Sequence, residues 1–196
     1  TRYFYPQPDK PANAPVATAS AGATTPGASA SPTPHSRQGG LTNPADIAVE
    51  KADLKTALAS PDRVKIDAPR VAGSINLVGA VIDDVVLKDH RETVEKDSGP
   101  IRIFSPAGTP AQQFARFGWV GNNLAVPGPY TRWQADGAML TQKTPVTLWH
   151  DNGAGLRFEI RLTIDENYMI TAQQSVANTG TNAAVVQPIA QVNRTS

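Results

Sequence analysis

The chain has 196 residues with 18 basic and 17 acidic side chains, 17 prolines, 15 glycines and no cysteine. A formal charge of +1 gives no electrostatic footprint for nucleic acid, and the absence of cysteine excludes disulfides, thiolate nucleophiles and cysteine-ligated zinc. No run of about 18 or more apolar residues exists, so no segment within the chain is expected to span a bilayer unaided.

Residues 1–45 hold eight of the 17 prolines and only four charged side chains, Arg2, Asp9, Lys10 and Arg37. With so few aliphatic groups to bury, this composition cannot offset the entropy of ordering its backbone, and residues 6–42 are predicted to be a disordered linker. The first five residues differ, because Arg2-Tyr3-Phe4-Tyr5 sets three aromatics beside a cation just ahead of Pro6. That cluster suits either a frayed terminus or a membrane interface. Asn43 to Ser60 reads as one helix: Asn43 can cap it, Pro44 fits its first turn, and Pro61 stops it. Only Ile47, Leu54 and Leu58 line up at helical spacing, so the helix is expected to lie on the domain surface.

From Val64 the period changes to two. Short strands are predicted at Val64–Ile66, Val71–Leu77, Val81–Leu87, Ile101–Phe104 and Phe117–Val120, bounded by glycine and proline turns. The clearest signal lies at Leu156, Phe158, Ile160, Leu162 and Ile164, which alternate with Arg157, Glu159, Arg161 and Thr163. Turn residues separate this strand from Val146–Trp149 before it and Tyr168–Ala177 after it, and Asn178-Thr179-Gly180 precedes a further strand at Ala183–Val192. No helix long enough for a crossover interrupts the series, so the fold class is all-β, an antiparallel β-sandwich occupying residues 43–196.

Candidate chemistry is sparse. His90 and His150, with Asp83, Asp84, Glu92 and Asp151, supply acid/base groups, but neither histidine sits in a metal-binding spacing or beside a glycine-framed serine. Asp83 and Asp84 are neighbours on a strand, which should point them to opposite faces and leave one of them at the surface or in a turn. Asp151-Asn152-Gly153 is superficially like a calcium loop yet lacks the downstream acidic ligand, and a hairpin turn fits better. Trp119, Trp133 and Trp149 read as core residues, with an aromatic platform for sugar or peptide as the alternative. Asn193-Arg194-Thr195 matches a glycosylation acceptor, a pattern too short to carry weight.

One stretch is recognisable as a string: RVKIDAPRVAGSINLVGAVIDDVVLKDHRETVEKDS, residues 63–98, resembles the periplasmic domain of bacterial YidC membrane protein insertases. The resemblance continues in order through residues 103–121, 126–137 and 143–180. It is carried by Ile82-Asp83-Asp84, Arg91-Glu92-Thr93, Phe117-Gly118-Trp119-Val120, His150-Asp151-Asn152-Gly153 and Tyr168-Met169. The family pattern has Thr where Ala68 stands and Tyr where His90 stands, which argues against a special role for His90.

The resemblance implies a β-supersandwich similar in architecture to galactose mutarotases, a likeness that transfers no activity. It implies an inner-membrane protein whose first transmembrane helix ends in residues 1–5, with this portion in the periplasm and a five-helix insertase core after Ser196. It implies Sec translocon components (SecYEG, SecDF) and nascent inner-membrane proteins as partners, and no catalytic residue, metal or cofactor. The family domain runs past the position of Asn193-Arg194-Thr195, so the sandwich is expected to be cut short at its C-terminus. The competing expectation is a carbohydrate-binding or carbohydrate-processing sandwich using Trp133, Trp149, His90 and His150.

Overall fold

A computed structural model describes residues 44–94 and 98–194. The chain divides between Thr33 and Pro34. The first unit, with the expected membrane-proximal segment 1–5 and linker 6–42, lies outside the described residues, as does the proposed cap Asn43.

Helix α1 spans Pro44–Leu58. Ile47, Leu54 and Leu58 are each only half-buried, as their thin stripe predicts. A polar contact secures the same side of the helix: Glu50, 8% exposed, accepts a hydrogen bond at Oε2 from the Ala111 amide at 3.0 Å. The helix therefore docks through a side chain that hydrophobic spacing does not reveal.

Eleven strands follow: β1 Arg63–Asp67, β2 Val71–Asn76, β3 Val81–Arg91, β4 Pro100–Phe104, β5 Gln113–Gly121, β6 Gln134–Ala135, β7 Met139–Leu140, β8 Val146–Asp151, β9 Leu156–Ile164, β10 Ile170–Asn178 and β11 Val186–Arg194. They form a seven-stranded sheet in the order β11-β5-β3-β2-β1-β7, with β4 also paired to β3, and a four-stranded sheet in the order β10-β9-β8-β6. The ladders are antiparallel except for the two-residue parallel contact of β1 with β7, Lys65 to Met139 and Ile66 to Leu140. The fold is thus the all-β, antiparallel sandwich that the alternation implied.

One core joins the sheets. Val64, Ile66, Val71, Ile75, Ile82, Val85 and Trp119 come from the larger sheet, and Val146, Leu148 and the five alternating apolar residues of β9 from the smaller. Along β9 the burial follows the sequence alternation residue by residue.

Three boundaries depart from the sequence pattern, each for a local reason. Strand β10 begins at Ile170, because Tyr168 takes a positive φ of 71° and the Asp165 carboxylate accepts from the Asn167 and Met169 amides at 2.7 and 2.9 Å, extending the turn. Strand β5 starts four residues earlier than Phe117, since Gln113–Arg116 pair with β11 whatever their own pattern. Strand β3 continues through polar Lys88–Arg91, held where Lys88 Nζ donates to Asp67 at 2.6 Å and to the Ala68 carbonyl at 2.7 Å. Strands β6 and β7, two residues each, are too short to leave a period.

The four C-terminal strands exist as expected, but they do not stay together. Strands β8, β9 and β10 form a meander, whereas β11 crosses to the other sheet and pairs with β5 from Val186 opposite Gly121 to Arg194 opposite Gln113. The Gln174 amide donates to the Gly118 carbonyl at 2.8 Å and ties β10 to β5 across the layers.

Candidate functional site

Two places gather polar groups. The first is a buried seam between β1, β2, β3 and β4. Arg63 Nη2 donates to Asp83, and Arg63 Nε donates to Ser74 Oγ at 2.8 Å. Ser74 Oγ in turn donates to Asp84 Oδ2 at 2.6 Å, and Arg102 Nη1 donates to Asp84 Oδ1 at 2.5 Å. Both aspartates are buried, 4% and 8% exposed, which corrects the expectation that one would face water or a turn.

The cause is a bulge. Ser74 pairs with Asp84 and Ile75 with Ile82, so Asp83 is an extra residue on β3 and the two-residue alternation is broken there. Both carboxylates thereby reach the same Arg63–Ser74 pair. Gly73, beside this bulge, has φ +155°, and a Cβ on it would fall 1.9 Å from the Asp84 carbonyl oxygen. Only glycine admits that close approach. Burial pushes the Asp83 carboxyl above its usual range, against the opposing pull of the Arg63 hydrogen bond and charge. Two arginines against two aspartates make a locally neutral, hydrogen-bonded group, the form in which buried charge is tolerated. It is a structural seam, and sequence reasoning missed it because a bulge leaves no mark on a hydrophobic pattern.

The second place is a cleft of about 220 Å³ on the larger sheet, lined by residues 116–119 of β5, the loop 127–129, Trp133, and Ile189 and Gln191 of β11. Its far wall is fixed by close backbone approach. Gly79, with φ +80°, donates its amide to the Thr131 carbonyl at 2.7 Å, and a Cβ there would lie 2.5 Å from the Pro129 oxygen. The Trp133 amide donates to the Leu77 carbonyl at 2.8 Å, so this loop is seated on the β2–β3 turn.

The residues proposed for chemistry do not assemble. His90 lies exposed on β3 in edge contact with the Tyr168 ring, centroids 5.9 Å apart, whose hydroxyl is 3.3 Å from Asp89. His150 lies half-buried on β8, in the other sheet, 6.0 Å from the Trp133 ring. Glu92 is exposed at the end of the β3 arm, where its amide donates to the Gly99 carbonyl at 3.1 Å.

Asp151 is engaged by both Arg157 Nε and Nη2, at 2.8 and 2.9 Å, and this pairing holds its carboxyl below the usual carboxylate range. The Asn152 side-chain oxygen accepts from the Ala154 and Leu156 amides at 2.8 and 3.0 Å, and Gly153 has φ 72°. Residues 151–155 therefore form the hairpin turn, with the donors of the supposed calcium loop spent on it. Among the described residues no group of three or more His, Asp or Glu side chains is placed to hold a metal.

The tryptophans separate. Trp119 and Trp133 are core, stacked on each other at 5.9 Å and 24°, with Trp119 also edge-on to Phe158. Neither offers an open ring face on which a sugar could stack. Trp149 is half-buried, with the Arg157 guanidinium 6.0 Å above its ring.

Comparison with known proteins agrees with this architecture. Residues 63–196 match the family model described as the YidC periplasmic domain. A membrane protein insertase YidC of Granulibacter bethesdensis is 46% identical over 134 residues, covering 67% of this chain and 23% of its own length. That of Methylobacterium sp. (strain 4-46) is 47% identical over 139 residues, or 70% of this chain and 22% of its own. That of Methylobacterium radiotolerans is 41% identical over 169 residues, 83% and 27% respectively. The chain spans about a quarter of the length of the curated relatives it matches. With a family model covering its whole sandwich from β1 onward, the chain belongs to the YidC periplasmic-domain family.

Proposed function

We propose that this chain is the periplasmic part of an inner-membrane insertase, and that it helps the whole protein integrate and fold inner-membrane proteins, alone or with the Sec translocon. The observation that carries the reading is the match of residues 63–196 to the periplasmic-domain family, on a chain whose described strands form the expected sandwich. Residues 6–42 serve as the linker in this reading, and residues 1–5 as the end of a membrane helix. Among the described residues no helix is long and apolar enough to cross a membrane, so the spanning work falls to other parts of the full-length protein.

Strand β11 supports a sandwich that is finished by further polypeptide. It forms one edge of the larger sheet, and most of its residues are exposed, with Val192 at 71%. An uncovered edge of this kind is a template for pairing.

The absence of cysteine supplies a direct test of placement. In the full-length protein with Met169→Cys as its only cysteine, a membrane-impermeant maleimide should label intact spheroplasts, since Met169 is 62% exposed. Labelling only after lysis would overturn the periplasmic assignment. The insertase reading works without a catalytic residue. Full-length protein carrying His90→Asn and His150→Gln should accordingly insert a model membrane protein into proteoliposomes at the wild-type rate. A loss of about 10²-fold, the least expected of an acid or base, would contradict it.

A further inference from the structure

We infer that the cleft between β5, β11 and the 127–129 loop is a binding site for a carboxylate flanked by apolar side chains, presented by an extended peptide segment. Two buried donors on its lining are unused. Trp133 is 2% exposed, yet its indole Nε1–H meets no acceptor, and Arg116 Nε is buried in the same condition. Buried donors without partners are rare and expensive in folded proteins, and two on the lining of one cleft mark where an acceptor belongs.

Charge selects the acceptor. Arg116 is the only charged residue on the lining, and its guanidinium is held 5.5 Å from the centroid of the Phe114 ring, an arrangement that orients the cation without neutralising it. An anionic oxygen facing a guanidinium and an indole N–H makes charge-assisted hydrogen bonds, the strong kind. The remaining walls, Phe117, Pro127 and Ile189, are apolar and suit the side chains on either side of the anion.

The same features decide against other ligands. A phospholipid surface is held by several lysines or arginines, and this cleft has one. A sugar needs an open aromatic face, and Trp119 and Trp133 cover each other.

The assignment goes beyond the insertase reading and does not depend on it, because its test measures binding rather than insertion. Two capped peptides, N-acetyl-Leu-Asp-Leu-amide and N-acetyl-Leu-Asn-Leu-amide, are titrated into the ¹⁵N-labelled 196-residue chain while the Trp133 Nε1–H and Arg116 Nε–H resonances are followed. The Asp peptide should shift both resonances saturably and bind at least about tenfold more tightly than the Asn peptide. In Arg116→Gln the two peptides should bind alike.

Equal binding of the peptides to the wild-type chain, or no movement of either resonance, would overturn the proposal. So would a preference for the Asp peptide that survives Arg116→Gln. A response only to phosphatidylglycerol vesicles would assign the cleft to lipid, and one only to maltotriose would assign it to sugar, and either would sink the peptide reading. Should Arg116→Gln not fold, the wild-type peptide ratio and the Trp133 shift decide the question by themselves.

Discussion

The two sheets bury their strands by different means. In the smaller sheet, β9 places Leu156, Phe158, Ile160, Leu162 and Ile164 in the core and leaves most of the intervening residues to solvent. In the larger sheet, the first five residues of β3 are all buried, two of them aspartates. Strand β9 is held by the removal of apolar area from water, whereas β3 is held there only because every buried carboxylate has a partner. One mechanism tolerates substitution in proportion to volume lost. The other fails when either member of a pair is removed alone.

That contrast can be broken most severely at Gly73. Any side chain there collides with the backbone of Asp84, so Gly73→Ala is expected to cost more than about 4 kcal/mol, or to abolish the cooperative thermal transition in circular dichroism. On the apolar side, Phe158→Ala empties a fully buried site in β9 and should lower stability by about 3–5 kcal/mol in urea denaturation, with no pH dependence of the loss.

On the charged side, Arg63→Met should also cost about 3–5 kcal/mol at neutral pH, because it strands Asp83 in the interior. Here pH sharpens the comparison. The Asp83 carboxyl already lies above its ordinary value, so the folded state favours the protonated form. Its stabilising contribution is full below the unfolded value and is lost as pH rises through the folded one. Without Arg63 the folded value rises further, so the penalty of Arg63→Met should shrink towards pH 4 and grow above it. A pH series of urea midpoints reads this directly, and a penalty independent of pH would contradict it. The double substitution Arg63→Met/Asp83→Leu should recover most of the loss, to within about 1–2 kcal/mol of the wild type. No such rescue is available to Phe158→Ala by changing a single partner.

The smallest effect belongs to the surface. Asp151 and Arg157 pair in the open, and the carboxyl lies below its ordinary value. Its contribution is therefore present above the unfolded value and lost as pH falls through the folded one. Asp151→Asn should lower the melting temperature slightly at pH 7, and the difference from wild type should vanish near pH 2. A deficit that persists in acid would mean that the hairpin, rather than the ion pair, had been disturbed.

These differences also explain what could be read from the chain alone. The nine longer strands were legible because one or both faces carry apolar residues at the strand period, and α1 because proline and an Ala/Leu/Glu/Lys run delimit it. The Asp83–Arg63–Ser74–Asp84–Arg102 seam was not, since charged residues signal solvent in a pattern argument and only pairing across four strands makes them core. Trp119 and Trp133 were read correctly as core, but the cleft beside them depends on a loop and on β11, which are brought together by a crossover that no local period encodes. Turn residues announced that β10 ends at Asn178; they did not say which sheet the chain would enter next.

The pairing of β11 with β5 has a consequence in time. Roughly seventy residues separate the two strands along the chain, and at about 5–20 residues per second of synthesis β5 waits on the order of 4–14 s for its neighbour. During that interval the N–H and C=O groups on the β11 side of β5 stand open from Gln113 to Gly121, next to Phe114, Phe117 and Trp119. A newborn chain of this family thus carries its most aggregation-prone edge through the longest delay in its assembly, and its yield in cells is set by how well that one strand is shielded until Arg194 has emerged.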